Sequence, residues 1–246
     1  MLKSRTQRLI AAAVVLVVVL GAAGWWFFIR DDAPEAASID DASQTLEEEA
    51  SGSGDTTAES TGLDGEWNVD ASVGSFDDFS GTYAGYRMDE ELAGIGATTA
   101  VGRTPDVTGG ITIAGDQVTT GTFEVDMTTL QSDRDMRDNA IRSRGLETDA
   151  FPTASFELSE PVELPDGIDT AGASVPFSAT GNLTLHGVTN EVTLDFDAET
   201  RDGTIAIVGS TPIVLADYGM EAPTTAVALS VADQGTLAFQ LFLTKG

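Results

Sequence analysis

Residues 134–156 read RDMRDNAIRSRGLETDAFPTASF. Acid–base partners stand four apart here: Asp133 and Arg137, Arg134 and Asp138, Asp138 and Arg142. Such pairs meet on the surface of a helix. Met136 and Ala140, with Ile141 beside them, supply a modest apolar stripe. The pattern predicts a short helix with Ser132 as its cap, Asp135 in a capping-box position and Gly145 as its stop. Pro152 then biases Phe151 toward an extended backbone and feeds a strand over 153–158. The segment is one helix set in a chain that otherwise reads as strand.

From Glu66 onward, short runs alternate apolar and polar residues between Gly, Asp and Pro. Within its own run each of four sets shares a face: Phe123, Val125 and Met127; Leu183 and Leu185; Val192, Leu194 and Phe196; and Leu237, Phe239 and Leu241. A period of two buries one face of a strand and wets the other. Turn residues at Gly115-Asp116 and across His186–Asn190 predict hairpins, hence antiparallel neighbours. Many short strands at regular spacing predict an all-β sandwich or barrel.

Two stretches carry a family resemblance. Arg137–Ser143 followed by Phe151–Phe156 is similar to the central signature of the YceI-like proteins, and Gly181–Thr189 (GNLTLHGVT) to their second signature. Gly65–Asp70 (GEWNVD) resembles their opening strand, so the resemblance spans most of 65–246 in the right order. Residues 83–109 depart from it, standing where the family has a shorter, His-containing strand. The resemblance implies an antiparallel, lipocalin-like, eight-stranded β-barrel with one short helix near its mouth. It further implies a long polyisoprenoid held inside, export from the cytoplasm, and no established catalysis.

An eight-stranded barrel has room for one small ligand, or is filled by its own side chains. The candidate lining is Phe123, Val125, Phe156, Leu158 and Leu183, together with Leu185, Leu194, Phe196, Phe239 and Leu241. Each methylene moved from water into such a lumen contributes about 0.8 kcal/mol, so a chain of several isoprene units binds without polar contacts. Arg137 and Arg142 are the candidates for a diphosphate or quinone head group, by bidentate hydrogen bonds. The competing reading has the arginines of this helix neutralising their acidic neighbours along it, which makes the segment a lid first and an anion site second.

Residues 9–29 (LIAAAVVLVVVLGAAGWWFFI) carry no charge and are long enough to cross a bilayer. Lys3, Arg5 and Arg8 precede them, and Trp25 and Trp26 sit toward the far end. This predicts a single-pass anchor with residues 1–8 cytoplasmic and the C-terminal domain outside the cell membrane. A signal peptide cleaved near residue 23, leaving a secreted domain, is the competing reading. Residues 30–64 are acidic and poor in large apolar groups, which predicts a disordered, extended linker.

The chain of 246 residues has a formal net charge of −28 and no cysteine. That balance argues against nucleic acid, whose phosphates need clustered Lys and Arg. Disulfides, thiolate catalysis and a lipoprotein cysteine are excluded. His186 is the only histidine, too few for a metal site and more suited to shaping a turn. With no nucleophile elbow and no phosphate loop, no catalytic residue, metal or cofactor is expected. The Asp217–Met220 stretch predicts a bulge or turn. The expected protein is a membrane-tethered, extracytoplasmic, non-enzymatic carrier of an isoprenoid lipid or quinone, as a monomer or homodimer. A ligand-free interaction module with a self-filled barrel is the alternative, and a lipid hydrolase is third.

Overall fold

The computed structural model describes residues 33–52, 62–223 and 228–246. The expected membrane span 9–29 lies outside these residues. Among the described residues no helix is long and apolar enough to cross a membrane.

The described strands are β1 (Gly65–Val69), β2 (Tyr83–Leu92), β3 (Gly96–Thr104), β4 (Val107–Ala114) and β5 (Gln117–Asp126). Next come β6 (Gln131–Ser132), β7 (Thr153–Leu158), β8 (Val162–Glu163) and β9 (Ser174–Leu185). The last four are β10 (Val188–Arg201), β11 (Thr204–Val214), β12 (Ala228–Val231) and β13 (Gln234–Lys245). The ladder β1-β4-β5-β7-β9-β10-β11-β13 closes through a β1–β13 pairing. Eight strands, antiparallel throughout, thus form a barrel, as expected. Closure removes the exposed edges that an open sheet would present.

The region that departs from the family resemblance builds a feature of its own. One edge of β13 is shared: residues 243–245 pair with β1, while 236–240 pair with β2. The long β2–β3 hairpin continues from β13 as a flap, and β6 adds to its outer side. The wall is therefore β1 at one end of the barrel and β2–β3 at the other.

The hairpin at His186 forms as a two-residue loop, with Leu185 opposite Val188. His186 and Gly187 have φ of 52° and 74°, the double left-handed turn that matches strand twist. The His186 ring packs at a tilt against Phe151, with centroids 4.3 Å apart, Nδ1 facing the Tyr218 carbonyl and Nε2 facing Glu147. Its role in this fold is to brace the turn. The Asp217 stretch also turns as expected: Leu215–Tyr218 is a 3-10 turn ended by left-handed Gly219.

The acidic segment differs from expectation. Residues 39–52, read as disordered linker, form helix α1 (Ile39–Gly52). Ser38 caps it by accepting the Asp41 amide, and Asp40 and Asp41 complement the dipole in its first turn. Ile39, Ala42 and Leu46 follow helical spacing and pack on Ala206, Val208 and Phe242 on the outer face of β11 and β13. Phe242 is 0% exposed although it points away from the lumen. Ser43 and Arg201 both bond the buried Glu199 carboxylate, and Arg201 reaches Glu47 at 2.9 Å. Upstream, the carbonyls of Pro34 and Glu35 accept from Arg87 and Arg103. Arg103 is itself held between the Phe79 and Tyr83 rings at 4.3 and 4.4 Å. Composition alone made this segment look unable to fold; a ready apolar surface on the barrel supplies the burial that it lacks.

Fully burying a leucine stabilises by about 1.5–3 kcal/mol. Leu46→Asp is therefore expected to undock α1. Amide exchange over 39–52 should accelerate by at least tenfold while the strands keep their protection. Unchanged exchange over 39–52 would contradict the docking.

Candidate functional site

The barrel encloses a cavity of about 270 Å³ whose wall is almost wholly aliphatic and aromatic. Parity explains this. In a closed antiparallel barrel every second residue of each strand faces the lumen. All ten residues read as candidate lining lie on the wall: Phe123 and Val125 from β5, Phe156 and Leu158 from β7, Leu183 and Leu185 from β9. Leu194 and Phe196 of β10 and Phe239 and Leu241 of β13 complete the set. The Phe196 ring meets Phe177 at a tilt, with centroids 4.9 Å apart, and Phe239 edge to face at 6.3 Å. At one end the floor is Leu63, Leu164 and Ile168. At the other the wall is made by Ile141, Gly145, Leu146, Met220 and Pro223.

That second end is where the opening stretch folds. Helix α2 (Asp135–Ala140) runs on as a wider π-turn over Ile141–Gly145. Ser132 does not cap it. The Asp138 carboxylate instead accepts from the Ser132 amide and hydroxyl, at 3.0 and 2.6 Å, which pins α2 to β6. Of the three helix-spaced ion pairs expected, Asp133–Arg137 is present. Arg134 pairs with its neighbour Asp133, and Arg142 donates to the Leu130 carbonyl at 3.1 Å. The other two pairs fail because Asp138 is already committed to Ser132.

Arg137 is more deeply engaged than sequence spacing suggested. Its guanidinium reaches across to Glu90 on β2 as well as to Asp133 and Ser132. Arg137 and Glu90 side chains are 10% and 5% exposed. Burial pulls the Arg137 pKa down, and the two carboxylates raise it further than that, so the group stays charged. Neither Arg137 nor Arg142 is on the cavity wall. The structure thus places these two head-group candidates in the scaffold of the lid.

Sequence reasoning missed Tyr86. Its ring lies on the wall from β2, opposite Gly102 of β3. A Cβ on Gly102 would come within 2.3 Å of that ring, so glycine is required for the ring to cross β3 there. The available signal was the alternation Ala84, Tyr86, Met88, which shares the lumen parity.

A family model described as the YceI-like domain matches residues 55–243. Among solved structures, the chain is similar to a polyisoprenoid binding domain from Saccharophagus degradans implicated in plant cell wall breakdown. The two share 16% identity with a TM-score of 0.56, over 73% of this chain and 98% of that one. It is also similar to BcnA of Burkholderia cenocepacia, with 16% identity and a TM-score of 0.50, over 65% of this chain and 95% of that one. At such identity the likeness is one of fold. Comparison with curated proteins found no match.

Proposed function

The chain belongs to the YceI-like family, and on that premise we propose that it is a non-enzymatic binding or carrier protein for a polyisoprenoid lipid or isoprenoid quinone. The observation that carries this reading is the apolar lumen of about 270 Å³ at the barrel centre. A lumen packed solid by its own side chains would favour the interaction-module alternative; this one is not packed solid. The similarity to a polyisoprenoid binding domain from Saccharophagus degradans supports the same ligand class. In this reading the 9–29 stretch anchors the protein in the cell membrane, and the barrel works on the extracytoplasmic side. The docked segment 33–52 then keeps the barrel close to the anchor instead of spacing it away.

The energetics are simple. At about 0.8 kcal/mol per buried methylene, a few isoprene units outweigh an association cost of roughly 4–15 kcal/mol. Native mass spectrometry of the full chain, expressed with its own export route, tests the reading. One adduct per barrel, released by organic solvent as an isoprenoid, is expected. A clean apo mass that persists after incubation with polyprenols and isoprenoid quinones would reject it.

A further inference from the structure

Among the described residues the exposed large apolar side chains are Ile95, Met136, Val188, Val214 and Leu229. Exposed hydrophobics scattered singly are ordinary, but these are not scattered. All of them stand at the lid end of the barrel. Val188 lies opposite Leu185, and Val214 stands between Ile213 and Leu215. Leu185, Ile213 and Leu215 pack with Tyr218 and Met220 beneath the lid. Met136 is on α2 itself. Ile95 occupies the β2–β3 turn, and Leu229 is on β12, next to Ala228 opposite Leu92. β2 passes Thr236 of β13 at Arg87 and runs on beyond the lid end to that turn. A Cβ added at Gly94 or Gly96 would meet nothing within 4 Å, so the turn projects clear of the barrel. The floor, around Leu63, Leu164 and Ile168, carries no exposed large apolar side chain among the described residues.

The N-terminal segment arrives at the same end. In α1, Glu47 meets Arg201 beside the β10–β11 turn at the floor. Upstream, the carbonyls of Pro34 and Glu35 accept from Arg87 and Arg103 on the flap, with Arg87 opposite Thr236. Followed toward its N-terminus, the chain therefore climbs from floor to lid. Ile29, the last residue of the 9–29 stretch, precedes Pro34 by five positions. Five residues reach at most about 18 Å when fully extended. Thr244, opposite Thr204 at the floor, is eight positions beyond Thr236 on β13. That is about 27 Å along the strand and about 20 Å along the barrel axis once strand tilt is allowed for. With 9–29 in a bilayer, the tether is too short for the floor to face the membrane, whereas the lid end is within reach.

We propose that the lid end is a membrane-docking surface, with Ile95 and Leu229, and Met136 beside them, set into the interface of the bilayer that holds the anchor. This rests on the anchor reading of 9–29 and goes beyond it by assigning the face that meets the lipid. Apolar side chains held beside a bilayer gain by entering its headgroup–acyl boundary. The surface it fits has no net charge: Asp89, Glu91, Glu147 and Glu221 are exposed at this end, on a chain of net charge −28, and anionic headgroups are repelled. In the carrier reading, docking of this kind turns the lid of the lumen toward the membrane that supplies the ligand.

The chain has no cysteine, so Ile95→Cys and Asp169→Cys each create one site for a bimane label, at the rim and at the exposed floor. The full chain is reconstituted in phosphatidylcholine vesicles in which part of the lipid carries a nitroxide on its acyl chain, a contact quencher of bimane. Flotation isolates the vesicle-bound protein, and quenching is read on that fraction. Quenching at Ile95 is expected to exceed that at Asp169 by about threefold or more, as for a side chain in the interface against one held in water. Adding Met136→Glu and Leu229→Glu to the Ile95→Cys protein should remove about half of its quenching or more, and leave the melting temperature unchanged because both sites are exposed. Equal or stronger quenching at Asp169, or none at either site in a chain that floats, would overturn the docking while leaving the anchor reading intact. The rim would then belong to another occupant, such as a second copy of the chain. Quenching at Ile95 undiminished by the two glutamates would show that the tether alone holds it there, and would overturn the apolar rim as the docking surface. A chain that does not float with the vesicles would remove the anchor reading and this proposal together.

Discussion

Gly121→Phe is expected to leave the barrel folded and to lower isoprenoid affinity by about two to three orders of magnitude. Gly121 is buried on β5 and on the lumen wall. A Cβ built there meets Ile111 and Leu158 at 3.5 and 3.6 Å, ordinary contact distances, and the backbone is not left-handed. The new ring therefore extends into the cavity without a clash at its root. An aromatic residue also suits a strand interior better than glycine does. The ring displaces roughly one isoprene unit, about five carbons, which forfeits about 4 kcal/mol of transfer free energy. At 1.4 kcal/mol per factor of ten this approaches a thousandfold. The check is isoprenoid retained per barrel, measured by extraction and mass spectrometry, alongside a circular-dichroism melt. Thr120→Phe, one residue away on the exposed face, serves as the control and should bind normally. Full ligand retention by a folded Gly121→Phe protein would place the ligand outside the lumen.

The second large effect falls on stability. Arg137→Ala is expected to destabilise the barrel domain by about 3–5 kcal/mol, because it leaves Glu90 buried without its counter-charge. At about 2–4 °C per kcal/mol for a domain of this size, the melting temperature should fall by roughly 10 °C. Arg134→Ala should change it little. That side chain and its partner Asp133 are largely solvated, and exposed pairs contribute about 0–1 kcal/mol. The contrast separates two arginines three residues apart, one in the first turn of α2 and one just before it. Paired replacement, Arg137→Met with Glu90→Leu, should recover much of the loss, since the cost lies in the orphaned charge. If Arg137→Ala melts with wild type, Glu90 is solvated and α2 is not fastened to β2 through this pair.

These two experiments also divide the functions first suggested for residues 134–156. The segment closes one end of the lumen with Ile141, Gly145 and Leu146. Its arginines fasten that closure to β2 and to Leu130.

Much of the lumen was legible because strand parity is a local property. In a closed barrel, residues two apart face the same side whatever their partner strands are. Phe123 and Val125, or Leu183 and Leu185, could therefore be assigned inward before any pairing was known. The strand after Pro152 was legible for a similar reason, since proline acts on its immediate neighbour. The cap of α2 was not. Asp138 competes with every local use of Ser132, and that competition depends on where β6 lies against β3.

Helix α1 shows the same limit from the other side. Its own residues are too polar to fold alone, and Ile39, Ala42 and Leu46 make only a thin stripe. The complementary signal lay far along the chain. Residues 205–208 and 241–243 are apolar on both parities, whereas a barrel with a wet exterior needs only one. Ala206, Val208 and Phe242 are that surplus, and α1 covers them.

The sequence by itself determined the antiparallel all-β class, the sets of apolar side chains that share a strand face and the position of the short helix. Each follows from periodicity, turn chemistry or a proline, all of which act within a few residues. Tertiary structure alone decided that Arg137 meets Glu90 across 47 positions, that Gly102 makes room for Tyr86, and that an acidic segment docks on the barrel. Those outcomes depend on desolvation and on close approach between strands that the chain brings together only on folding.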